Sequence, residues 1–165
     1  MTLDASTATE VEVRNLLQRI RTDHQRPDPP SLAVGLNKLV VRYLDGKLVK
    51  GFSQDFHPSR QHFHLLRLVD EAGDPPVLIP VVHVKAVFFV RDFSGDPAYV
   101  DKKSFLEPRA GRRIEVSFLD DEIMVGTTLN YHPAGVGFFL FPADPDGNNL
   151  RVFVGLAAVR HIRYL

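Results

Sequence analysis

Three histidines lie close together in the stretch FHPSRQHFHL, at His57, His62 and His64. Imidazole nitrogens bind zinc, and side chains two residues apart on a strand point to the same face. The stretch offers no carboxylate or cysteine partner at the usual ligand spacing. A related stretch further along the chain has Phe139 in the place of His64. We therefore predict no metal site and no cofactor.

Residues for covalent or acid–base catalysis are also sparse. The chain has no cysteine, and no serine lies in a G-x-S-x-G turn. Asp120 and Asp121 are adjacent, but aspartate is a common turn former. The stretch ADPDGNN, residues 143–149, lacks the length and final glutamate of a calcium-binding loop. No glycine-rich stretch has the spacing of a phosphate-binding loop. We predict that the protein is not an enzyme.

Composition sets the broad class. The 165 residues are 44% hydrophobic and 24% charged, as in a folded globular protein. Twenty basic residues balance twenty acidic ones, so no global field draws the chain to nucleic acid or to a membrane. The start, MTLDASTATEVEV, has no apolar core of a secretory signal, and no apolar run approaches the roughly 20 residues that span a bilayer. These features predict a cytoplasmic protein without a membrane partner.

One pattern occurs twice. YLDGKLVKGFSQDFHP at 43–58 and FLDDEIMVGTTLNYHP at 118–133 lie 75 positions apart, and residues 39–90 align with 114–165 without a gap. An ungapped register that keeps turn residues and apolar alternation predicts an internal duplication. The residues that we assign to turns or bends are Asp45, Gly51, His57, Pro58, Asp120, Gly126, His132 and Pro133.

Apolar residues alternate along each copy, with short runs separated by Asp-Gly, His-Pro and proline-rich turns. Glycine inside a strand, as at Gly51 and Gly126, usually marks a bend. Five short strands with a bent second strand predict a small SH3-like or Sm-like barrel. The predicted fold is mainly β, with two tandem barrels at 38–90 and 114–165.

Residues 1–37 differ from the repeats. TEVEVRNLLQRIR, residues 9–21, has apolar residues at helical spacing and predicts a short amphipathic α-helix. Pro27, Pro29 and Pro30 then favour an extended linker. A helix of this length needs a surface for its apolar side, on the barrels or on another chain, so it is a candidate for self-association.

Residues 91–113 connect the two units and border any groove between them. Clefts between domains are common ligand sites, and polar and aromatic residues occur here without a periodic pattern. The candidate partner-binding residues are Arg91, Asp92, Phe93, Tyr99, Arg112 and Arg113. The alternative is structural: Arg91 and Asp92 pair, and Phe93 and Tyr99 fill the joint.

RNA and a cyclic dinucleotide are the alternatives to a protein partner. An Sm-like barrel can bind RNA by stacking and charge, for which Phe56, Tyr131, Arg60 and the basic residues between Arg109 and Arg113 are available. A cyclic dinucleotide would need the PilZ pattern. The nearest stretch, RDFSGDP, lacks the preceding arginine pair and has Pro97 in place of the glycine.

The runs VVRYLDGKLVKGFSQDFHPSRQHFHL, VKAVFFVRDFSGDPAY and GFFLFPADPDGNNLRVFV resemble an uncharacterised bacterial family of tandem β units over residues 39–165. The matching positions are Asp45, Gly51, Asp55, Pro58, Phe88, Phe89, Val90, Arg91, Asp92, Phe93, Gly95 and Pro97. The family is a domain of unknown function that occurs alone or joined to PilZ or response-regulator receiver domains. The resemblance implies a signalling or scaffold role and brings no catalytic residues.

Overall fold

A computed structural model describes residues 35–68 and 75–165. The described residues form ten β-strands and two single 3-10 turns, with no α-helix among them. The strands are β1 (Asn37–Tyr43), β2 (Leu48–Ser53), β3 (His62–Arg67), β4 (Val77–Pro80), β5 (Val84–Val90), β6 (Arg112–Phe118), β7 (Ile123–Thr128), β8 (Gly137–Pro142), β9 (Asn149–Gly155) and β10 (Val159–Tyr164). The 3-10 turns are Val81–His83 and Leu156–Ala158. The predicted N-terminal helix lies outside the described residues, as does nearly all of the linker after it.

The same order of elements occurs twice. β1, β2, β3 and β5 begin 75 residues before β6, β7, β8 and β10, and the two 3-10 turns have the same spacing. β4 and β9 end 75 residues apart. Residues 35–90 are called the first half below, and residues 112–165 the second half.

Corresponding turns have corresponding geometry. In the β1–β2 turn, Tyr43 N donates to Lys47 O at 2.8 Å, and Gly46 has a positive φ of 89°. The β6–β7 turn repeats the first contact between Phe118 N and Glu122 O at 2.9 Å. Asp121 takes the place of the glycine with a φ of 68°, because aspartate is among the few residues that tolerate the left-handed region.

All ten strands belong to one antiparallel sheet in the order β10-β6-β7-β8-β9-β5-β1-β2-β3-β4. Four antiparallel pairings lie within each half, but the central pairing joins the two halves. β5 of the first half pairs with β9 of the second, with Val87 opposite Phe153 and Phe89 opposite Arg151. The two halves therefore share one continuous hydrogen-bonded sheet.

Two hydrophobic cores lie on opposite faces of the middle of this sheet. In β5, Ala86, Phe88 and Val90 point into one core, whereas Val87 and Phe89 point into the other. The first core is completed by β6 and β8 of the second half, and the second core by β1, β3 and β4 of the first half. The two ends of the sheet thus pack over opposite faces of its centre, and every residue of β5 is buried.

The prediction of two tandem SH3-like or Sm-like barrels is wrong. The strand expected to complete the first barrel, β5, is also the partner of β9, and among the described residues the sheet has open edges at β4 and β10. The physical reason is the composition of β5. A strand that is apolar on both faces needs cover on both faces, and only the two halves together provide it.

Candidate functional site

The connector between the halves is bound to the β8–β9 loop, residues 143–148. Arg91 donates from Nε to Gly147 O at 3.2 Å and from Nη2 to Pro145 O at 3.0 Å. Asp92 N donates to Asn148 Oδ1 at 3.0 Å, and Asn148 Nδ2 donates back to Asp92 O at 2.9 Å. Arg91 N also donates to Asn148 O at 3.0 Å, so five hydrogen bonds fix the start of the connector on the second half.

A second attachment is centred on Asp144, which is 2% exposed. Its Oδ2 accepts hydrogen bonds from Lys102 N and from the Tyr99 hydroxyl, both at 2.8 Å. The backbone donor of Lys102 is the main cause that lowers the pKa of Asp144. The same carboxylate raises the pKa of Tyr99 to about 12, because ionising the phenol would lose the hydrogen bond and oppose two negative charges. Burial, and then Asp144, raise the pKa of Asp101.

The connector is also attached to the first half. The Phe93 ring packs edge to face on Phe52, with ring centroids 5.2 Å apart. Lys50 Nζ donates to Phe93 O at 2.7 Å. Phe52 and Lys50 belong to β2, so the connector bridges β2 of the first half and the β8–β9 loop of the second.

A groove of about 500 Å³ runs beneath this bridge, and we call it the inter-half groove. Its floor is apolar and is formed by Val40, Phe88, Val90, Leu140 and Val152. Three exposed apolar residues lie on its rim: Leu48 from β2, Ile123 from β7 and Val100 from the connector. Its charged residues are Arg42, Lys50, Lys102, Lys103, Asp101, Glu122 and Asp144.

Two residues that line the groove, Arg42 and Glu122, belong to an ion cluster that joins the halves. Lys85 Nζ lies 2.6 Å from Asp120 Oδ2 and also donates to Glu122 Oε2. Arg42 Nη1 contacts the same Glu122 oxygen at 3.0 Å. Lys85 also lies over the Phe118 ring at 4.6 Å. The hydrogen bond from Lys85 is the main cause that lowers the pKa of Asp120.

The six predicted partner-binding residues do not form one site. Phe93 lines the inter-half groove. Arg91, Asp92 and Tyr99 line a neighbouring hollow between the connector and the β8–β9 loop.

Arg112 and Arg113 are strand residues of β6 that lie in neither cavity. Each stacks on an aromatic ring: Arg112 over Tyr164 at 5.6 Å and Arg113 over Phe105 at 4.6 Å.

The histidines have local partners. His57 and His132 lie in turns, where each Nδ1 accepts the backbone N–H two residues later at 3.2 Å. His64 Nδ1 lies 2.8 Å from Asp55 Oδ2. Within residues 35–68 and 75–165, no group of three or more His, Cys, Asp or Glu side chains is placed to hold a metal ion.

Sequence reasoning missed several residues of the joint. Asp144 and Asn148 were considered only as members of the stretch ADPDGNN, and Lys85 and Glu122 were not singled out. Lys85 carried a usable signal, since it is the one charged residue in the apolar run VKAVFFV. A buried charge in such a run must be paired with an opposite charge.

The part of the chain that the structure describes contains no helix long and apolar enough to cross a membrane. Comparison with curated proteins and with solved structures gave no match. Residues 35–165 match the model of a family of unknown function, DUF6982, and the chain belongs to that family.

Proposed function

We propose that the protein is a non-enzymatic binding module that holds an apolar, acidic segment of a partner protein in the inter-half groove. The observation that carries this proposal is the exposed apolar rim. Leu48 is 46% exposed, Ile123 is 43% exposed and Val100 is 83% exposed, and all three surround one cavity with an apolar floor. Exposed apolar residues that cluster around a concave surface mark interaction sites.

The charges of the groove favour an acidic partner. Of the groove's three carboxylates, Glu122 is neutralised by Lys85 and Arg42. Asp144 accepts hydrogen bonds from Lys102 N and the Tyr99 hydroxyl, which leaves Asp101. Lys102 and Lys103 lie on the connector side of the groove, both exposed. An anionic group beside an apolar segment would therefore meet lysines at the rim and aliphatic side chains on the floor.

The family resemblance supports a place for this module in a bacterial signalling or regulatory assembly in the cytoplasm. A non-enzymatic role agrees with the sequence, which has no cysteine and no recognised nucleophile or phosphate-binding motif. The contact between the halves also suits such a role, because the connector holds the groove walls at a fixed separation.

The test uses anilinonaphthalene sulfonate, a fluorescent probe with apolar rings and one anionic group. We expect saturable binding to the native chain at a single site. Leu48→Asp and Ile123→Asp should each abolish binding, because a carboxylate on the rim opposes the apolar rings and the sulfonate. Leu119→Asp is the matched control, since Leu119 is also exposed but lies outside the groove.

Circular dichroism and thermal melting must show that each variant is folded, because partly folded proteins also bind this probe. The same variants are then compared in capture of partners from the native host. If Leu48→Asp and Ile123→Asp keep both probe binding and partner capture, the groove is not the binding site and the proposal fails.

RNA is the rival partner. Labelled RNA that binds with a steep salt dependence, and loses binding when Arg109, Arg112 and Arg113 become alanine, would replace the protein partner. Arg109 donates to Pro142 O at 3.0 Å, and the other two arginines stack on Phe105 and Tyr164. These arginines already have partners within the chain, so we expect no such binding.

A further inference from the structure

The two outer edges of the sheet correspond to the two strands that pair at its centre. β10 is the second-half counterpart of β5, and β4 is the first-half counterpart of β9. Since β5 pairs with β9 inside the chain, β10 of one copy and β4 of another could form the same pairing. Repetition of that pairing would join copies head to tail.

The outer edge of β10 retains the backbone N–H groups that such a pairing requires. Leu165 N donates to Arg113 O at 3.0 Å, on the side of β6. Backbone N–H groups alternate in direction along a strand, so those of Tyr164 and Ile162 point away from β6. In β5, the counterparts of these two residues are Phe89 and Val87, which lie opposite Arg151 and Phe153 of β9.

The outer edge of β4 lacks most of the corresponding backbone N–H groups. Val81 N donates to Gln61 O at 2.8 Å, and its counterpart Leu156 N donates to Val136 O at 3.0 Å. Because backbone N–H positions alternate in direction along a strand, those of residues 151, 153 and 155 point away from β8. The corresponding positions of the first half, residues 76, 78 and 80, point away from β3. Positions 76 and 80 are both proline, and proline has no N–H to donate.

Pro80 adds a steric obstacle. Its counterpart Gly155 lies so close to β5 that an added Cβ would be 2.2 Å from Val84 O. Real Cβ atoms do not approach backbone oxygens so closely, so the paired geometry requires glycine at this position. A proline ring at position 80 would collide with the corresponding oxygen, that of Val159, in a second copy.

We propose that Pro76 and Pro80 close the β4 edge and so prevent copies of this chain from joining head to tail through β10. The partner that this surface would otherwise accept is a second copy of the chain. Prolines on an edge strand are a known means of preventing sheet extension. Tyr164 at the end of β10 and Leu165 directly after it have exposed side chains, so this edge also offers apolar surface to a second copy.

The test restores the second-half residues at both positions in the full chain. Pro76→Arg with Pro80→Gly should assemble, with a molar mass by light scattering that rises with concentration to at least that of a dimer of the wild-type species. Adding Tyr164→Pro removes an outward donor of β10 and should return the mass to the wild-type value. Tyr164→Ala keeps that donor and should leave the assembly intact.

Pro58→Gly, in the exposed β2–β3 turn, controls for the loss of a proline and should keep the wild-type mass. If the double variant loses its cooperative thermal transition, Pro80→Gly alone carries the same test. A folded Pro80→Gly or double variant that keeps the wild-type mass at every concentration would overturn the proposal. So would a wild-type assembly that dissociates on Tyr164→Pro, because the prolines would then not be blocking the edge.

Discussion

The Lys85 ammonium lies 2.6 Å from the Asp120 carboxylate, across the joint between the two halves. The Lys85 side chain is only 5% exposed, whereas that of Asp120 is 54% exposed. The pair is therefore asymmetric: the cation is buried and the anion can still be hydrated. Removing one member should have a different effect from removing the other.

We expect Lys85→Met to change the free energy of unfolding by less than about 1 kcal/mol, because the carboxylates that remain are solvated and the methionine packs on Phe118. Asp120→Asn combined with Glu122→Gln should cost about 2 to 4 kcal/mol, because it leaves a buried ammonium without an anion. Denaturant unfolding of both variants measures the difference. Equal costs would show that Lys85 is as well hydrated as its partners.

The same pair predicts a response to acid. The pKa of Asp120 is lowered from its ordinary value of 3.8, first by the hydrogen bond from Lys85. A lowered folded-state pKa gives a contribution that is complete above the ordinary value and is lost as the pH falls through the lowered one. Wild type should therefore lose stability below about pH 4 relative to Lys85→Met. If the free energies of unfolding of wild type and Lys85→Met fall equally over that pH range, Lys85 is not the cause of the lowered pKa of Asp120.

Gly51 and Gly126 are required because the neighbouring strand leaves no room for a Cβ atom, and not because their backbone angles exclude other residues. Neither has a positive φ. An added Cβ would lie 2.2 Å from Leu66 O at Gly51 and 2.2 Å from Phe141 O at Gly126. Gly→Ala at either position should cost about 1 to 3 kcal/mol, because the neighbouring strand must move. Gly135→Ala, where the nearest atom is at 3.3 Å, is the control and should melt closer to wild type.

Tyr99 should ionise at unusually high pH. Its pKa is raised from 10.0 to about 12, first by the hydrogen bond to Asp144. The ultraviolet absorbance of tyrosinate should show this late ionisation, and Tyr99→Phe assigns it among the four tyrosines. In Asp144→Asn the pKa should return toward 10.0. Because the folded-state pKa of Tyr99 is raised, the stability that the Tyr99–Asp144 hydrogen bond contributes is complete below pH 10. It is lost as the pH rises through about 12.

Much of the local structure could be predicted from the sequence. Alternating apolar residues and turn residues indicated β-strands in the regions where the structure has them, because side-chain alternation and turn chemistry are local properties. The pairing of β5 with β9 is not local, since it joins residues as far apart in the chain as Ala86 and Val154. The available signal was the contrast between VKAVFFV and its counterpart VRHIRY. The first has no polar alternation and so indicates a strand buried on both faces.

The connector shows why the candidate site was harder to predict. Aromatic and charged residues without periodicity drew attention to residues 91–99, but the partners of Arg91, Asp92 and Tyr99 lie in the β8–β9 loop. Arg91 contacts the carbonyls of Pro145 and Gly147, which no side-chain pattern reveals. Backbone acceptors are present at every residue, so sequence alone cannot select them.

Residues of the connector could stabilise the fold or bind a partner, and substitutions at Arg91 and Phe93 distinguish these two roles. Arg91→Ala removes two charged hydrogen bonds to the β8–β9 loop and should cost about 1 to 2 kcal/mol of stability. Arg91→Lys is the conservative control and should recover part of that loss, because lysine keeps the charge but not the two fixed donors. Lys47→Ala removes an exposed pair with Asp45 and should change stability by less than about 0.5 kcal/mol.

Phe93→Ala should lower the melting temperature and also weaken binding of the fluorescent sulfonate, because Phe93 packs on Phe52 and lines the inter-half groove. Arg91→Ala should lower the melting temperature but keep probe binding at temperatures where the variant is folded, because Arg91 does not line that groove. Thermal melting and probe titration on the same samples distinguish the two effects. An Arg91→Ala variant that melts like wild type but no longer captures a partner would instead place Arg91 in a binding site, as one of the two sequence hypotheses holds.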